Sequence, residues 1–405
     1  MDLGFEGDFP VLRRSVVPLG KQVKIPRNQS SQWAHIPKTS FETAFACDVA
    51  ASTRVAWTEF FKDRKRSAES VFELQSIVDV VKALRVGDDQ YKHLTGGRID
   101  VVTGGFPCND FSVAGKRLGF DSNKSHRGNK SHVDSDIEDP TAENRGMLYY
   151  WMKEFISLVQ PKVFYAENVK GLVSLGDAQR VIAHDFSSIG ESSYAVLPVR
   201  VLRAIDYGVP QTRERVFFIG IDKRWMRASV RQHFELHGQL PAELDLYPIA
   251  THGASSDMEP FVTAGEAFSG LDEPNDSTPD LSHRSYSKAK YMGKRLQGQA
   301  EVRENDPGPT IRAEHHGNIE FRRLSKEHGG NNSRGPERRL TVRECARLQT
   351  FPDSFEFVLE GTPRLSASDG YRAIGNAVPP LLAWRLAARL EEVWDDLFVS
   401  RRSSR

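Results

Sequence analysis

A lone cysteine stands in the segment whose residue types most clearly suggest chemistry. Residues 99–106 form a short apolar run rich in β-branched residues, which predicts a buried strand, and Cys108 follows it between Pro107 and Asn109. An isolated cysteine is more often a small core residue than a nucleophile. The polar flanks of Cys108 and its place at the carboxyl end of a strand favour a reactive thiolate.

A carboxylate ends a second predicted strand. Residues 162–168 form another apolar run, which closes with Glu167 and Asn168. A carboxylate at such a position needs a partner or a function, so an ion pair with an arginine and a catalytic role are both open for Glu167 alone. Beside a strand-end thiolate, Glu167 is better interpreted as an acid that protonates or hydrogen-bonds a substrate under nucleophilic attack.

Two arginines precede a third predicted strand, at residues 215–221. Arg213 and Arg215 are two positions apart, a spacing that places side chains on the same side of a strand. Surface ion pairs are the simpler interpretation of both residues. The functional interpretation is a pair of guanidinium groups that bind a phosphate or a base carbonyl.

The elements that position these residues alternate between strands and helices. Strands are predicted at residues 41–49, 99–106, 162–168 and 215–221, and helices at residues 51–61 and 147–159. This alternation over residues 1–222 predicts an α/β domain with a doubly wound, mostly parallel sheet. In such sheets the chemistry lies at the carboxyl ends of the strands, which is where Cys108 and Glu167 are expected.

The rest of the chain has two textures. Residues 223–339 are rich in Gly, Pro and Ser, with few long apolar periods, which predicts a smaller and loop-rich domain. From residue 340 the pattern tightens: Thr341 and Glu344 have the spacing of a capping box and predict a helix that ends before Pro352. A last helix is predicted at residues 379–397, so residues 340–405 are expected to return to the first domain.

Composition restricts the class of protein. The 405 residues include 55 Lys and Arg against 54 Asp and Glu, so contact with a nucleic acid would depend on local patches. No run of about 18 apolar residues predicts a membrane span, and the first residues lack a secretion leader. The 3 cysteines suit neither a disulfide framework nor a Cys-x-x-Cys zinc site. We therefore expect a cytoplasmic enzyme without a metal and without a membrane partner.

Five motifs occur in the order that is typical of one enzyme family. They are GGFPCNDFS (104–112), AENVKGL (166–172), PQTRERVFFIG (210–220), RRLTVRECARLQTFPDSF (338–355) and GYRAIGNAVPP (370–380). Together they resemble the DNA (cytosine-5)-methyltransferases of bacterial restriction–modification systems, over residues 3 to 390. The resemblance implies a Rossmann-like, S-adenosylmethionine-dependent catalytic domain at residues 1–222 and 340–405. It also implies a target-recognition domain at residues 223–339.

The resemblance implies roles for the five residues of the catalytic set. Cys108 would attack C6 of cytosine as a thiolate, and Glu167 would bond N3 and the exocyclic amine, while Asn168 helps to hold that loop. Arg215 would contact O2 of the base, and Arg213 would hold the active-site frame or a phosphate. S-adenosylmethionine would donate the methyl group to C5. Because a stacked base is out of reach, the cytosine of the double-stranded DNA would be flipped out.

The cofactor site both matches the family and departs from it. Asp48 ends the strand predicted at 41–49 and suits an acid that binds ribose hydroxyls. Pro107, Asn376 and Val378 match family positions that line the same pocket. The family's strand and F-x-G-x-G-G turn, which precede a Leu-Gly-Phe-Glu segment, have no counterpart before Leu3. We therefore expect the 405-residue chain to bind S-adenosylmethionine weakly or not at all, and the coding sequence upstream of Met1 to encode the strand and turn.

DNA contacts are expected from two basic regions. Lys116 and Arg117 lie in a basic, Ser- and Gly-rich stretch at the position of the family's catalytic loop, which would close over phosphates. In the recognition region, Lys288, Lys290 and Lys294 belong to a basic run, and Arg312 to the segment 309–318 with donors for the major groove. A solvated charged face is the alternative for the basic run.

Other functions stay open at this point. A catalytically silent, truncated DNA-binding protein and a related RNA cytosine methyltransferase are the main alternatives. A thiol redox enzyme is remote, because no second cysteine lies near Cys108 in the sequence. The acidic stretch at 134–143 suggests no role. The protein is expected to be a monomer that protects host DNA from a cognate restriction enzyme.

Overall fold

The structure is a computed structural model that describes residues 1–16, 32–65, 68–106, 148–190, 194–288, 301–313, 322–324, 326–328, 330 and 336–399. The strands are β1 (Gly7–Leu12), β2 (Trp33–Lys38), β3 (Ala46–Cys47), β4 (Phe72–Glu73), β5 (Val101–Gly105), β6 (Val163–Val169), β7 (Tyr194–Val196), β8 (Arg200–Arg203), β9 (Glu214–Asp222), β10 (Arg322–Arg323) and β11 (Arg338–Arg339). The α-helices are α1 (Asp2–Glu6), α2 (Ala51–Phe61), α3 (Ala68–Val71), α4 (Ile77–Arg85), α5 (Leu148–Val159), α6 (Ala178–Ser187), α7 (Ala228–His237), α8 (Ala264–Phe268), α9 (Leu281–Arg284), α10 (Val342–Leu348), α11 (Ala367–Asn376) and α12 (Pro380–Leu397).

A five-stranded sheet positions the candidate site. Its strands follow the order β5-β6-β9-β7, and β8 also pairs with β9. β5 and β6 are parallel, with Gly105 opposite Glu167, whereas β9 is antiparallel to β6 and to both remaining strands. The α/β class is therefore confirmed, and the sheet is mixed in the described ranges.

Both faces of this sheet are covered, which is why its strands have continuous apolar runs. Successive side chains of β6 alternate between two cores, because strand residues point to opposite faces. Phe164 and Ala166 pack with helices α4, α5 and α6. Tyr165 packs on the other side in the core that contains α1 and α12. The ends of β5 and β6 are thus held by packing on both sides.

The strand predicted at residues 41–49 is mostly wrong. Only β3 is observed there, and it pairs in parallel with β4 alone among the described strands. The aromatic residues before it pack instead of joining a ladder: Phe41 contacts the rings of Phe5 and Trp394, and Phe45 stacks on Phe155. β5 likewise has a described partner on one side only, since it ends the order of its sheet.

Several local predictions are confirmed. The helix predicted at 51–61 is α2 with the same bounds, and the other three predicted strands correspond to β5, β6 and β9. The capping box of Thr341 and Glu344 is present and opens α10, which ends before Pro352. α12 corresponds to the last predicted helix. None of the helices in the described ranges is long and apolar enough to span a membrane.

The region 223–339 is poor in regular structure where it is described. Its described α-helices are α7, with 10 residues, and the shorter α8 and α9, with 5 and 4 residues. Val262, Phe268 and Val302 pack in the same core as α10 and α12. The division of the chain at residues 222 and 339 stays a prediction.

Candidate active site

The ends of β5 and β6 bring the predicted strand-end residues to one edge of the sheet. Gly105 lies opposite Glu167 in the parallel ladder. A Cβ atom at Gly105 would stand 3.0 Å from Oε2 of Glu167, so the glycine leaves room for the carboxylate beside the backbone. Cys108 and Pro107 follow this strand end but lie outside the described residues.

Asn168 ties the two strand ends together. Its Nδ2 donates to the carbonyl of Phe106 at 3.0 Å, and its Oδ1 accepts from the backbone N–H of Val169 at 2.8 Å. The side chain is 1% exposed, so these bonds are shielded from water. Asn168 therefore fixes the backbone two residues before Cys108, as its predicted loop-holding role requires.

Glu167 forms an ion pair with Arg215 across β6 and β9. Nε of Arg215 lies 2.7 Å from Oε1 of Glu167, and the two side chains are 11% and 10% exposed. Nη1 of Arg215 donates to the carbonyl of Glu214 at 2.8 Å. Both alternatives weighed for Glu167 therefore meet in one place: the carboxylate has an arginine partner and stands at the edge where Cys108 follows.

Arg213 does not share this position, although it is two residues from Arg215. It precedes β9, is fully buried, and donates from Nη1 to the carbonyl of Ile311 at 2.9 Å and from Nη2 to that of Gly375 at 2.8 Å. The two guanidinium groups contact different parts of the chain, and the expectation that they point to one side stays a prediction. The phosphate-binding alternative is wrong, since the guanidinium of Arg213 is enclosed and bound to carbonyls. The frame-holding alternative fits these contacts.

Asp48 lies at the end of β3, beside other carboxylates. Burial raises the pKa of Asp48, although hydrogen bonds from the backbone of Ala50 and Val49 act in the opposite direction. Burial, followed by the charges of Asp48, Asp2 and Glu73, raises the pKa of the Cys47 thiol to about 12. This edge is therefore rich in hydrogen-bond acceptors.

The same edge suits the adenosine part of a cofactor. Val49 and Leu74, which follow the parallel strands β3 and β4, are 46% and 41% exposed. Exposed apolar side chains next to a carboxylate offer a surface for a flat base and acceptors for ribose hydroxyls. α11, which ends at Asn376, packs against α2, the helix that follows Asp48, and Val378 is buried just beyond it. The residues present thus fit this part of S-adenosylmethionine.

The residues predicted to contact DNA are placed only in part. Lys288 is exposed, and its Nζ lies 3.5 Å from the centre of the Tyr286 ring. Arg312 is half-buried next to α11, and its Nη1 is buried without a hydrogen-bond partner in the described part of the chain. Lys116, Arg117, Lys290 and Lys294 lie outside the described residues. Among the residues that are described, no three metal-ligating side chains converge.

Two buried glutamines were missed in the sequence. Gln211 and Gln349 are both fully buried, and Nε2 of Gln211 donates to Oε1 of Gln349 at 2.5 Å. Gln211 lies in the motif PQTRERVFFIG, and Gln349 lies in the motif RRLTVRECARLQTFPDSF. A sequence signal was available for Gln349: it follows α10, a helix whose residues are all buried, so its polar amide needed a buried partner.

Comparison with known proteins finds one family. The sequence profile of C-5 cytosine-specific DNA methylases matches residues 58–127 and 137–392. The type II methyltransferase M.BspRI of Lysinibacillus sphaericus is 32% identical over 310 residues, which cover 72% of this chain and 60% of that protein. M.BsuRI of Bacillus subtilis is 32% identical over 308 residues, which cover 72% and 58%. The chain thus spans about three fifths of the length of these two relatives.

Solved structures agree on the fold. A prophage-encoded protein of E. coli, assigned as a DNA modification methyltransferase, superposes with a TM-score of 0.51 at 18% identity, covering 88% of this chain and 94% of that one. The Entamoeba histolytica methyltransferase EhMeth superposes with a TM-score of 0.50 at 12% identity, covering 87% and 90%.

Proposed function

Because the chain belongs to the C-5 cytosine-specific DNA methylase family, we propose that it methylates C5 of a cytosine in a specific sequence of double-stranded DNA. The observation that carries this proposal is the ion pair of Glu167 and Arg215, with a distance of 2.7 Å, beside the strand end that leads to Cys108. The methyl donor is S-adenosylmethionine.

The proposed reaction begins with the thiolate of Cys108, which forms a bond to C6 of a flipped-out cytosine. Glu167 donates to N3 and accepts a hydrogen bond from the exocyclic amine, which stabilises the negative charge that attack at C6 places on the ring. S-adenosylmethionine, when bound, would supply the methyl group that C5 takes up and would leave as S-adenosylhomocysteine. A base removes the proton from C5, the bond between Sγ of Cys108 and C6 breaks, and the thiolate is regenerated.

Arg215 has a double role in this proposal. Its Nε and Nη1 hold Glu167 and the carbonyl of Glu214, and Nη2 has no hydrogen bond to a described residue. Nη2 is the donor that we assign to O2 of the cytosine. The same guanidinium therefore orients the carboxylate and reads a second edge of the base.

The cofactor and DNA assignments complete the proposal. Asp48 binds the ribose hydroxyls, and Pro107, Asn376 and Val378 line the same pocket. Residues 223–339 select the target sequence, and the protein acts as a cytoplasmic monomer that protects host DNA from a cognate restriction enzyme. The proposed DNA-contacting residues are Lys116, Arg117, Lys288, Lys290, Lys294 and Arg312.

The test is methyl transfer by the full chain to unmodified duplex DNA, followed by mapping of the modified cytosines. We expect Cys108→Ser to abolish transfer and to bind DNA within about tenfold of the parent, a change of ~1.4 kcal/mol. DNA that contains 5-fluorocytosine should trap the parent covalently, because fluorine does not leave as a proton does.

Cys345→Ala is the matched control, since Cys345 is buried in α10. This variant should keep both turnover and covalent trapping. Turnover by the Cys108→Ser variant would contradict the assignment of the nucleophile. Transfer to RNA but not to DNA by the parent would contradict the assignment of the substrate.

A further inference from the structure

Two buried side-chain amides form a hydrogen-bonded chain between two parts of the candidate site. Gln211 precedes β9 and Gln349 follows α10, 138 positions later. Nε2 of Gln211 donates to Oε1 of Gln349 at 2.5 Å and to the carbonyl of Leu348 at 3.1 Å. Neither side chain is exposed to solvent. We name this pair the glutamine relay.

One end of the glutamine relay holds the segment that carries Arg312. The backbone N–H of Ile311 donates to Oε1 of Gln211 at 2.9 Å. Backbone hydrogen bonds reinforce the contact: Thr212 N–H donates to the carbonyl of Gly308 at 2.8 Å, and Gly308 N–H to that of Pro210 at 2.9 Å. The segment 308–312 is thereby fixed to the chain that enters β9.

The other end holds the turn that carries Asn376 and Val378. Nε2 of Gln349 donates to the carbonyl of Ile374 at 3.1 Å and to that of Ala377 at 2.6 Å. The two ends also meet directly, because a Cβ atom at Gly375 would stand 2.3 Å from the carbonyl carbon of Arg312. The backbones of the two segments are therefore in contact, and the glutamine relay sets how they are aligned.

The direction of the relay is fixed at every bond. Donation runs from Ile311 N–H to Gln211, from Gln211 to Gln349, and from Gln349 to the carbonyls of Ile374 and Ala377. If either amide turned over, a donor would face a donor or a carbonyl would face a carbonyl in a buried space, which is costly. A movement of the segment 308–312 would therefore strain the hydrogen bonds of Gln349 to the turn at Asn376 and Val378, and the reverse also holds.

We propose that Gln211 and Gln349 are positioning residues that couple DNA binding at the segment 308–312 to cofactor binding at Asn376 and Val378. This inference rests on the proposed function. Arg213 bridges the same two segments through Ile311 and Gly375, which makes the connection double. Binding of either ligand restrains its segment further, and the relay passes this restraint on, which lowers the cost of restraining the other segment.

The test measures the affinity of the full chain for S-adenosylhomocysteine by calorimetry, with and without a duplex that the parent methylates. We expect the duplex to tighten binding in the parent by about tenfold, and the effect to fall below about threefold in Gln349→Met. Affinity for each ligand alone should change by less than about threefold, because neither glutamine side chain contacts ligand in this proposal. Gln211→Met should lose the same coupling, and the double variant no more than either single one.

A matched control separates coupling from stability. Oγ of Ser282 is buried and accepts from the N–H groups of Phe357 and Val358 at 3.1 and 3.2 Å, away from both ends of the relay. Ser282→Ala should lower the melting temperature and keep the full coupling. Gln349→Asn, which keeps the amide but shortens its reach, serves as the milder variant if Gln349→Met does not fold, and it should also weaken coupling.

Each outcome has one meaning. Full coupling in a folded Gln349→Met or Gln349→Asn protein, or equal loss of coupling in Ser282→Ala, would overturn the inference. A parent that binds both ligands without coupling would also overturn it, while leaving the proposed function intact. A parent that neither transfers methyl groups to duplex DNA nor binds it would instead contradict the proposed function.

Discussion

Two buried clusters of carboxylates and guanidinium groups use their hydrogen-bonding capacity differently. At the end of β6, Glu167 has one described partner, Nε of Arg215 at 2.7 Å. Next to the start of α10, Arg338 donates to both oxygens of Glu344, to both oxygens of Glu273 and to a backbone carbonyl. The first cluster has a guanidinium nitrogen and carboxylate lone pairs without a described partner, whereas in the second every nitrogen of the Arg338 guanidinium already donates.

This difference in unused hydrogen-bonding groups distinguishes a candidate binding site from an ion pair that only stabilises the fold. Although burial alone would lower the pKa of Arg338, its hydrogen bonds with Glu344 and Glu273 raise it, so the cation is held charged. Glu344 also accepts from the N–H of Thr341 at 2.8 Å as part of the capping box of α10. A buried ion pair is thus informative about function only when its remaining lone pairs and N–H groups are considered.

The largest expected effect tests the ion pair of Glu167 and Arg215. Glu167→Gln should reduce the rate of methyl transfer by about 10³-fold, roughly 4 kcal/mol, because an amide can hydrogen-bond N3 and the exocyclic amine but cannot transfer a proton to N3 as charge develops on the ring. The measurement is transfer of labelled methyl groups to duplex DNA at saturating cofactor. The melting temperature should change by only a few degrees. A variant with near-parental turnover would show that Glu167 is a structural partner of Arg215 and nothing more.

The next largest effect tests the cluster of Arg338, Glu344 and Glu273. Arg338→Met should lower the free energy of unfolding by about 3 kcal/mol, because it leaves the buried Glu344 without its counter-charge. Urea unfolding measures this loss, and turnover per folded molecule should be unchanged. Arg180→Met, which removes an exposed pair with Asp177, is the control and should cost less than about 0.5 kcal/mol. Equal losses for the two variants would contradict the structural role given to Arg338.

A third group sharpens the comparison, because it is buried without a carboxylate hydrogen-bonded to it. His252 donates from Nε2 to the carbonyl of Arg14 at 2.8 Å, and its Nδ1 accepts from Oγ1 of Thr251. Burial, followed by the charge of Arg385, lowers its pKa, despite an opposing hydrogen bond to Arg14. Below about pH 6.5 the unfolded chain therefore takes up a proton that the folded chain resists, and stability falls as the pH falls.

The check is the free energy of unfolding at pH 7.5 and pH 5.5 for the parent and for His252→Gln. The parent should lose more stability on acidification than the variant does. An identical loss in both proteins would show that His252 is not responsible.

The smallest effect concerns cations at the surface. Lys288 is exposed and contacts the ring of Tyr286, so its charge is open to a phosphate. Replacing Lys288, Lys290 and Lys294 by Ala should flatten the plot of log K for DNA against log salt by about 0.9 for each phosphate that these lysines neutralise. Filter binding at several salt concentrations gives the slope. An unchanged slope would assign these lysines to a solvated face.

Local features of this chain are readable from the sequence because they depend on neighbouring residues. The bounds of α2, the capping box of α10 and the place of Glu167 and Asn168 near the end of β6 follow from apolar periodicity and from the spacing of cap residues. The prediction of a strand at 41–49 is mostly wrong because a strand does not depend on neighbouring residues alone. Its aromatic residues have strand propensity, but a strand also needs a ladder partner, and tertiary packing took Phe41 and Phe45 instead.

The sequence alone determined which residue types stand at the ends of the strands, and from them it predicts that Cys108, Glu167 and Arg215 act in one reaction. Tertiary structure decided their partners. Arg213 and Arg215 are two positions apart, yet one clamps Ile311 and Gly375 while the other holds Glu167. Gln211 and Gln349 meet across 138 positions. A side chain's role depends on which groups lie within about 3 Å, and such contacts between distant segments leave no periodic pattern in the sequence.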